Sequence, residues 1–338
     1  MIITLKDGSS KEYQNGLSVL QIAQDISEGL ARAALGGKID GKVVELATTI
    51  DADCALEILT FKDNEGKRIY RHTCSHILAQ AVKSIFPTVK LAIGPAIDNG
   101  FYYDFDFKTP ISADHLEKIE SEMKKIIKAD YPLKRSVLPR KEALALMKKY
   151  GEDYKVELIN DLPEDVDISF YQQGDFVDLC AGPHLPSTGM IKAFKLTSLT
   201  GAYWRGNEHN KMLSRIYGAC FDKKSELTEY LQALEDAKLR DHNKLGREMN
   251  IFMTDENIGQ GLPLLMPKGA KLFQILQRFV EDEEERRGYV MTKTPYMAKS
   301  NLYKISGHWD HYRDGMFVLG DESKDEEVFA LRPMTCPF

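Results

Sequence analysis

Two Asp-Gly dipeptides, at residues 7–8 and 40–41, constrain the fold of this chain more than any other feature. Asp-Gly between strand-like stretches predicts a tight hairpin, because glycine readily adopts the positive φ that such turns require. Between the two turns, Ser18 and Gln21 have the spacing of a capping box, which predicts the start of a helix that runs through Ile22, Ile26 and Leu30. The second turn precedes an apolar run over 43–46, and a strand-like stretch over 55–61 closes the unit. Strands around one helix predict that residues 1–61 form a small β-grasp module.

The sequence that follows predicts further α+β structure. Residues 62–67 (KDNEGK) are polar and contain glycine, which predicts a linker. A helical pattern over 69–86, followed by short strands with turn signals, predicts an α+β domain that extends to residue 224. Residues 225–250 are polar, charged and helical in pattern, so we expect a connecting helix.

An apolar helical face is predicted further along the chain. Apolar residues recur from Leu272 to Val280 at positions i, i+3, i+4, i+7 and i+8, which lie on one side of a helix. Gly288 is expected to end this helix, and residues 289–295 are expected to form a strand.

Composition excludes several classes of protein. The 338 residues are 43% hydrophobic and contain no run of roughly 20 apolar residues that would cross a bilayer. The N-terminal residues lack the continuous apolar segment of a signal peptide, so a cytoplasmic protein without a membrane partner is expected. The five cysteines are scattered and odd in number, which favours reduced thiols over a disulfide framework.

Charge gives no general attraction to nucleic acid, since the net charge is −6. Residues 124–155 are locally basic, with ten Lys and Arg against four Asp and Glu, so RNA binding is one interpretation of this segment. Solvated faces of amphipathic helices are the other interpretation.

Four residues in two distant segments form the pattern with the clearest chemical meaning. His72 and His76 are four residues apart, so on a helix they project from the same side. They lie roughly opposite the apolar stripe of that helix, which makes them poor candidates for core histidines. Cys180 and His184 flank Ala-Gly-Pro, a turn sequence that would direct both side chains into a cleft. By spacing, the quartet resembles a zinc site; surface histidines are the alternative.

Several segments, in this order, resemble successive signatures of bacterial threonyl-tRNA synthetases. The segments are RHTCSHILAQAV, AIGPAIDNGFYYDFD, DLCAGPH, GAYWRGNEHNKML and SGHWDHY. The resemblance covers essentially the whole chain. It implies a TGS β-grasp module over 1–61, an editing domain related to that of alanyl-tRNA synthetase over 62–224, and a linker helix over 225–243. It also implies that 244–338 begin an incomplete class II antiparallel-sheet domain with the dimer-forming first motif.

The resemblance implies a proofreading function. Serine differs from threonine by one methyl group, which is worth only about 1 to 3 kcal/mol in a binding pocket, so a second, hydrolytic site removes serine from wrongly charged threonine tRNA. Carried onto matching positions, the site contains the quartet together with three further polar residues. These residues are His72, His76, Cys180, His184, Lys155, Asp178 and Tyr103.

Roles follow as hypotheses from the same resemblance. An imidazole or a positioned water would act as the base, and Lys155 with nearby donors would stabilise charge on the ester oxygen. Cys180 as a covalent nucleophile is an alternative. The related alanine enzyme holds zinc in this arrangement, but the threonine enzyme is described as editing without it, so no metal is required here. Trp204 and Arg205 either contact the tRNA end or pack within the domain.

The last residues resemble the start of the aminoacylation site. Cys336, in the segment RPMTCPF, matches a zinc ligand of the complete enzyme. The complete enzyme also uses ATP with Mg, binds threonine and tRNA(Thr), and is a homodimer. The two histidine ligands expected after Cys336 are absent, so we expect no bound metal at Cys336 and no aminoacylation by this chain. His308 and His311 are expected to be structural.

Two other functions fit parts of the sequence. A freestanding trans-editing deacylase would use the same pocket, but it has no use for the dimer-motif helix or the terminal RPMTCP. A non-enzymatic RNA-binding module would make the quartet structural. Loss of deacylation on substitution of His72 or Cys180 distinguishes these from an editing enzyme.

Overall fold

A computed structural model describes residues 1–164, 166–324 and 327–338. The chain forms two compact units, Met1–Ala237 and Lys238–Phe338. Among the described residues, no helix combines the length and the apolar character that crossing a membrane would need.

The first unit begins with a β-grasp arrangement. Its elements are β1 (Ile2–Leu5), β2 (Ser10–Glu12), β3 (Leu17–Ser18), α1 (Val19–Ile26), α2 (Glu28–Ala33), β4 (Ala34–Ile39), β5 (Lys42–Val44), β6 (Thr49–Ile50) and β7 (Cys54–Thr60). Five strands form one sheet in the order β2-β1-β7-β4-β5, with β1 parallel to β7. The predicted hairpin and the capping box of Ser18 and Gln21 are present, and the predicted turn at 40–41 joins the antiparallel pair β4 and β5. The helix predicted to reach residue 30 is instead divided at Ser27, whose hydroxyl caps α2.

The rest of this unit is built around one long helix. Its elements are α3 (Asn64–Ile85), β8 (Lys90–Leu91), β9 (Ala96–Ile97), β10 (Gly100–Asp106), α4 (Asp114–Ala129), β11 (Leu133–Leu138), α5 (Arg140–Tyr150), α6 (Asp153–Asp161), β12 (Ile168–Gln173), β13 (Phe176–Leu179), β14 (Ala193–Tyr203), β15 (Met212–Phe221) and α7 (Lys224–Leu239). One sheet has the order β14-β15-β10-β8, with β9 on β10, and a second has the order β11-β12-β13. Helix α3 packs against β10 and α4 around the main hydrophobic core.

The prediction of a linker over 62–67 is wrong, because α3 begins at Asn64. The Asp63 carboxylate accepts hydrogen bonds from the amide and hydroxyl of Thr60, at 2.9 and 3.0 Å. Gly66 lies so close to Thr60 that an added Cβ would be 2.0 Å from its carbonyl oxygen. A tight turn therefore holds the β-grasp module against the start of α3.

The second unit has a smaller hydrophobic core than the first. Its further elements are α8 (His242–Glu248), β16 (Phe252–Met253), β17 (Leu264–Leu265), α9 (Pro267–Arg286), β18 (Met297–Lys299), α10 (Ser300–Ile305), α11 (His308–Tyr312), β19 (Val318–Leu319) and β20 (Phe329–Leu331). Tyr303, Trp309 and Ala330 are buried in its hydrophobic cluster. The predicted apolar face of α9 is exposed, as Leu272 and Phe279 illustrate.

The strand predicted over 289–295 does not form. A strand needs a neighbour for its backbone hydrogen bonds, and no described strand pairs with these residues. Tyr289 and Val290 are instead exposed, Val290 to 90%.

Candidate functional site

Three imidazoles and one thiol converge within the first unit. One potential ligand atom from each of His72, His76, Cys180 and His184 lies within 4.8 Å of the other three. His72 and His76 lie on α3, and Cys180 and His184 follow the end of β13. The Cys180 Sγ is 3.4 Å from Nε2 of His72 and 3.3 Å from Nε2 of His184. The two segments, which are about a hundred positions apart, thus contribute to one cluster.

A turn at Gly182 positions the second pair. Gly182 has φ +71°, a cis peptide joins it to Pro183, and its amide donates a hydrogen bond to the Cys180 Sγ at 3.2 Å. A Cβ at Gly182 would lie 1.9 Å from the Tyr171 hydroxyl oxygen, so only glycine fits beneath this ring. The turn places His184 between the other two imidazoles, with ring centroids 4.3 Å from His72 and 4.2 Å from His76.

The expectation that both α3 histidines lie away from the core is wrong for His76, which is 3% exposed. Helix α3 is buried on its polar side as well as its apolar side, because the residues around His184 cover it. Thr73 illustrates this contact: its hydroxyl is 3.1 Å from Nδ1 of His184 and accepts a hydrogen bond from the Leu185 amide. His72 remains half-buried.

Burial keeps the imidazoles uncharged. It lowers the pKa of His72 to about 4 and that of His76 to about 3, against the partly opposing charge of Asp178. Burial also lowers the pKa of His184 well below its usual value and raises the pKa of the Cys180 thiol to about 12. At neutral pH the cluster therefore consists of neutral imidazoles and a protonated thiol.

A second polar group adjoins the cluster. The Lys155 ammonium on α6 is 2.7 Å from Oδ1 of Asp178 on β13, and the Tyr103 hydroxyl on β10 donates to Oδ2 at 2.6 Å. Lys155 also donates to the Tyr103 oxygen at 3.0 Å, and Oδ2 is 3.9 Å from Nε2 of His76. Burial opposes ionisation of Asp178, but the Lys155 ammonium outweighs it and the pKa of Asp178 is lowered. The carboxylate is therefore charged and faces His76.

A cavity of about 330 Å³ gives access to the cluster. Its walls are mostly apolar and come from α3, from the segment before β10, from the Gly182 turn and from the β-grasp module. The lining residues include Val43, Arg68, His72, Pro95, Gly182 and Pro183. Of the quartet, His72 lines this cavity, so His72 is the imidazole that a ligand there meets first.

The donor set of the quartet also fits a metal. Three imidazole nitrogens and one thiolate are typical zinc ligands, and separations below 4.8 Å are compatible with convergence on one ion. His72, His76, Cys180 and His184 are therefore the residues that would hold zinc in this unit.

The other predicted residues lie elsewhere. Trp204 is 5% exposed, and its indole donates to Glu157, which agrees with packing within the domain. Arg205 forms ion pairs with Glu157 and Asp161. Cys336 is exposed in the second unit, and within the described ranges it belongs to no group of three potential metal ligands.

One residue that contacts the cluster was not predicted from the sequence. Glu45, in the β-grasp module, accepts a hydrogen bond from the His184 amide at 3.3 Å, although 139 positions separate the two residues. No spacing rule connects residues so far apart, so nothing in the sequence indicated this contact.

Comparisons with known proteins agree on one kind of relative. Residues 1–60 match the family described as "TGS domain", and residues 168–217 match "Threonyl and Alanyl tRNA synthetase second additional domain". The chain is 69% identical over 336 residues to a threonine–tRNA ligase of Clostridium perfringens strain 13, covering 99% of this chain and 52% of that protein. The corresponding ligase of Acetivibrio thermocellus is 56% identical over 335 residues, with the same coverage.

The chain therefore spans about half the length of the curated relatives it matches. A solved structure, the RNA binding domain of threonyl-tRNA synthetase from Cryptosporidium parvum, is 35% identical and covers 29% of this chain and 24% of that one. Its TM-score is 0.27, which is too low to support a statement about the fold.

Proposed function

Because the chain corresponds to the N-terminal region of the threonyl-tRNA synthetases, with a TGS domain and the editing-associated domain, we propose that its His-Cys site hydrolyses serine from wrongly charged threonine tRNA. The observation that carries this proposal is the convergence of His72, His76, Cys180 and His184 beside a cavity. Threonine and serine differ by one methyl group, so a hydrolytic step is needed in addition to selective binding.

His72 is the proposed base. It lines the cavity, it is neutral at physiological pH, and its Nε2 lies 3.4 Å from the Cys180 Sγ, so a neutral imidazole is held at the cavity wall where it can accept a proton from water. Water adds to the carbonyl carbon of the seryl ester while its proton passes to His72. The tetrahedral intermediate then collapses, the ester C–O bond breaks, and the proton returns to the ribose oxygen. The products are serine and uncharged tRNA.

The buried polar group holds the cluster in place. Lys155 is 3% exposed and does not line the cavity, so we assign it no direct contact with the substrate. Its ammonium instead neutralises Asp178 and provides a positive field behind the ester. Asp178 and Tyr103 orient His76, which packs against the His184 ring. The Cys180 Sγ lies beside Nε2 of both His72 and His184 and helps fix the two stacked rings.

Zinc held by the quartet would polarise the attacking water or the ester carbonyl. The hydrolysis proposed above uses only side chains of the chain. We therefore expect a strong chelator to leave the rate of deacylation unchanged.

For the whole protein, of which this chain matches about half, we propose attachment of threonine to tRNA(Thr) with ATP and Mg. Cys336 would be one ligand of its catalytic zinc, and the apolar face of α9 would be covered in a homodimer. The exposure of Leu272 and Phe279 supports the dimer proposal. The domain limits 61, 224 and 243 remain part of this proposal.

Deacylation of seryl-tRNA(Thr) tests the function. The unaltered chain is expected to hydrolyse the ester faster than buffer does, and His72→Ala is expected to reduce the rate on the order of 100-fold or more. Cys180→Ala is expected to lower it as well. His209→Ala, which changes an exposed histidine of the same unit, is the matched control. Equal rates for His72→Ala and the unaltered chain would refute the assigned site.

A further inference from the structure

The β-grasp module reaches the cluster through one carboxylate. Glu45 follows β5 and is half-buried. It accepts a hydrogen bond from the backbone amide of His184 at 3.3 Å. The Tyr171 hydroxyl on β12 faces the same carboxylate, and burial together with this carboxylate raises the pKa of Tyr171. The Tyr171 ring in turn lies edge-on to the His184 imidazole, with centroids 4.5 Å apart.

His184 is the central member of the quartet. Its ring stacks on His72, contacts His76, and brings Nε2 to 3.3 Å from the Cys180 Sγ. A shift of His184 would therefore move all the other members. Glu45 restrains its backbone directly and its ring through Tyr171, so one side chain of the module acts on the whole cluster.

The module is held firmly enough to exert this restraint. The turn between Thr60 and Asp63 joins it directly to α3, and the Lys38 ammonium on β4 lies 3.1 Å from the Glu65 carboxylate at the start of that helix. Gly36 packs so closely on Ile69 of α3 that an added Cβ would lie 2.5 Å from its Cδ1. The position of Glu45 relative to α3 is thus fixed by contacts on the same helix that carries His72.

We propose that Glu45 is a positioning residue for the hydrolysis, so that the β-grasp module is a working part of the editing site. The inference rests on the proposed function. Glu45 touches neither the ester nor the water; it acts by keeping the His184 backbone and ring in the geometry that orients His72. Glu45 therefore affects the rate of the chemical step and leaves RNA binding unchanged.

Steady-state deacylation of seryl-tRNA(Thr) by the full chain tests this assignment. Glu45→Ala is expected to lower kcat on the order of 10- to 100-fold, since small displacements of reacting groups have effects of this size, with KM unchanged. Glu45→Gln retains an acceptor oxygen for the His184 amide and is expected to restore most of the rate. Glu12→Ala, which removes an exposed carboxylate of the same module, is the control.

A second substitution tests the path of the effect. Tyr171→Phe keeps the ring against His184 but removes the hydroxyl that faces Glu45, so an intermediate loss is expected. Because both residues act on His184, the double variant Glu45→Ala with Tyr171→Phe should be little worse than Glu45→Ala alone. Thermal melting of each variant, expected to match that of the unaltered chain, separates positioning from loss of folding.

The outcomes are distinct. Unchanged kcat in Glu45→Ala, with active unaltered chain, would overturn this inference alone. Equal losses in the Ala and Gln variants together with a lower melting temperature would also overturn it, because they indicate only a structural tie. Absence of hydrolysis by the unaltered chain would overturn the proposed function, and this inference with it.

Discussion

Lys155 and Asp178 form an ion pair in which the two residues are 3% and 2% exposed. Removing one partner leaves an uncompensated buried charge. We expect Lys155→Met to lower the free energy of unfolding by about 3–5 kcal/mol. Urea denaturation followed by circular dichroism measures this, and Lys149→Met, an exposed lysine on α5, should change it by no more than about 0.5 kcal/mol. Equal values for the two variants would show that the pair is not buried as described.

The buried histidines make stability depend on pH. Folding lowers the pKa of His72 to about 4 and that of His76 to about 3, mainly through burial, whereas the unfolded chain titrates near 6.5. Between these values the unfolded chain binds more protons, so the stability of the first unit falls as pH falls from about 6.5 towards 4. His76→Gln should reduce this slope. A flat stability curve across that range would contradict the burial of the imidazoles.

At the scale of single residues, the sequence identified the reactive side chains of the site but not the residues that pack around them. Residue type, spacing and family resemblance named the quartet, Lys155, Asp178 and Tyr103, and the structure brings them into one region. Helical periodicity failed for His76, because it describes one helix and not what packs on its polar side. Glu45 could not be predicted, since its contact depends on how two modules meet.

The turn before His184 illustrates what a short element contributes. Gly182→Ala is expected to lower deacylation on the order of 100-fold, because its Cβ would displace the Tyr171 hydroxyl from beside the turn. Gly151→Ala is the matched control: its φ of +70° is nearly the same as the +71° at Gly182, but nothing lies within 4 Å of its Cβ. Gly151→Ala should lose about 1–2 kcal/mol of stability from backbone strain and Gly182→Ala at least as much, whereas only Gly182→Ala should lose activity. Equal rates of deacylation by Gly182→Ala and Gly151→Ala would show that the Gly182 turn does not contribute to the reaction.

Elements with local signals were predicted well. The hairpins and the helix start at Ser18 depend on residues close in sequence, and they are present. The linker over 62–67 was wrong because Asp63 and Thr60 form a compact turn that composition does not indicate. The strand over 289–295 failed for a different reason: its pattern is strand-like, but a strand requires a partner.

At the scale of the whole molecule, the two units differ in how completely they bury their apolar surface. The first unit surrounds α3 with core, whereas α9 in the second exposes an apolar face that includes Leu272 and Phe279. The first unit contains every residue of the proposed hydrolytic site.

The most direct measurement is the rate at which this chain hydrolyses seryl-tRNA(Thr) and correctly charged threonyl-tRNA(Thr), each compared with spontaneous hydrolysis in the same buffer. We expect the seryl ester to be hydrolysed far above the spontaneous rate and the threonyl ester to be largely spared. A seryl ester that decays no faster with the chain than without it would contradict the account.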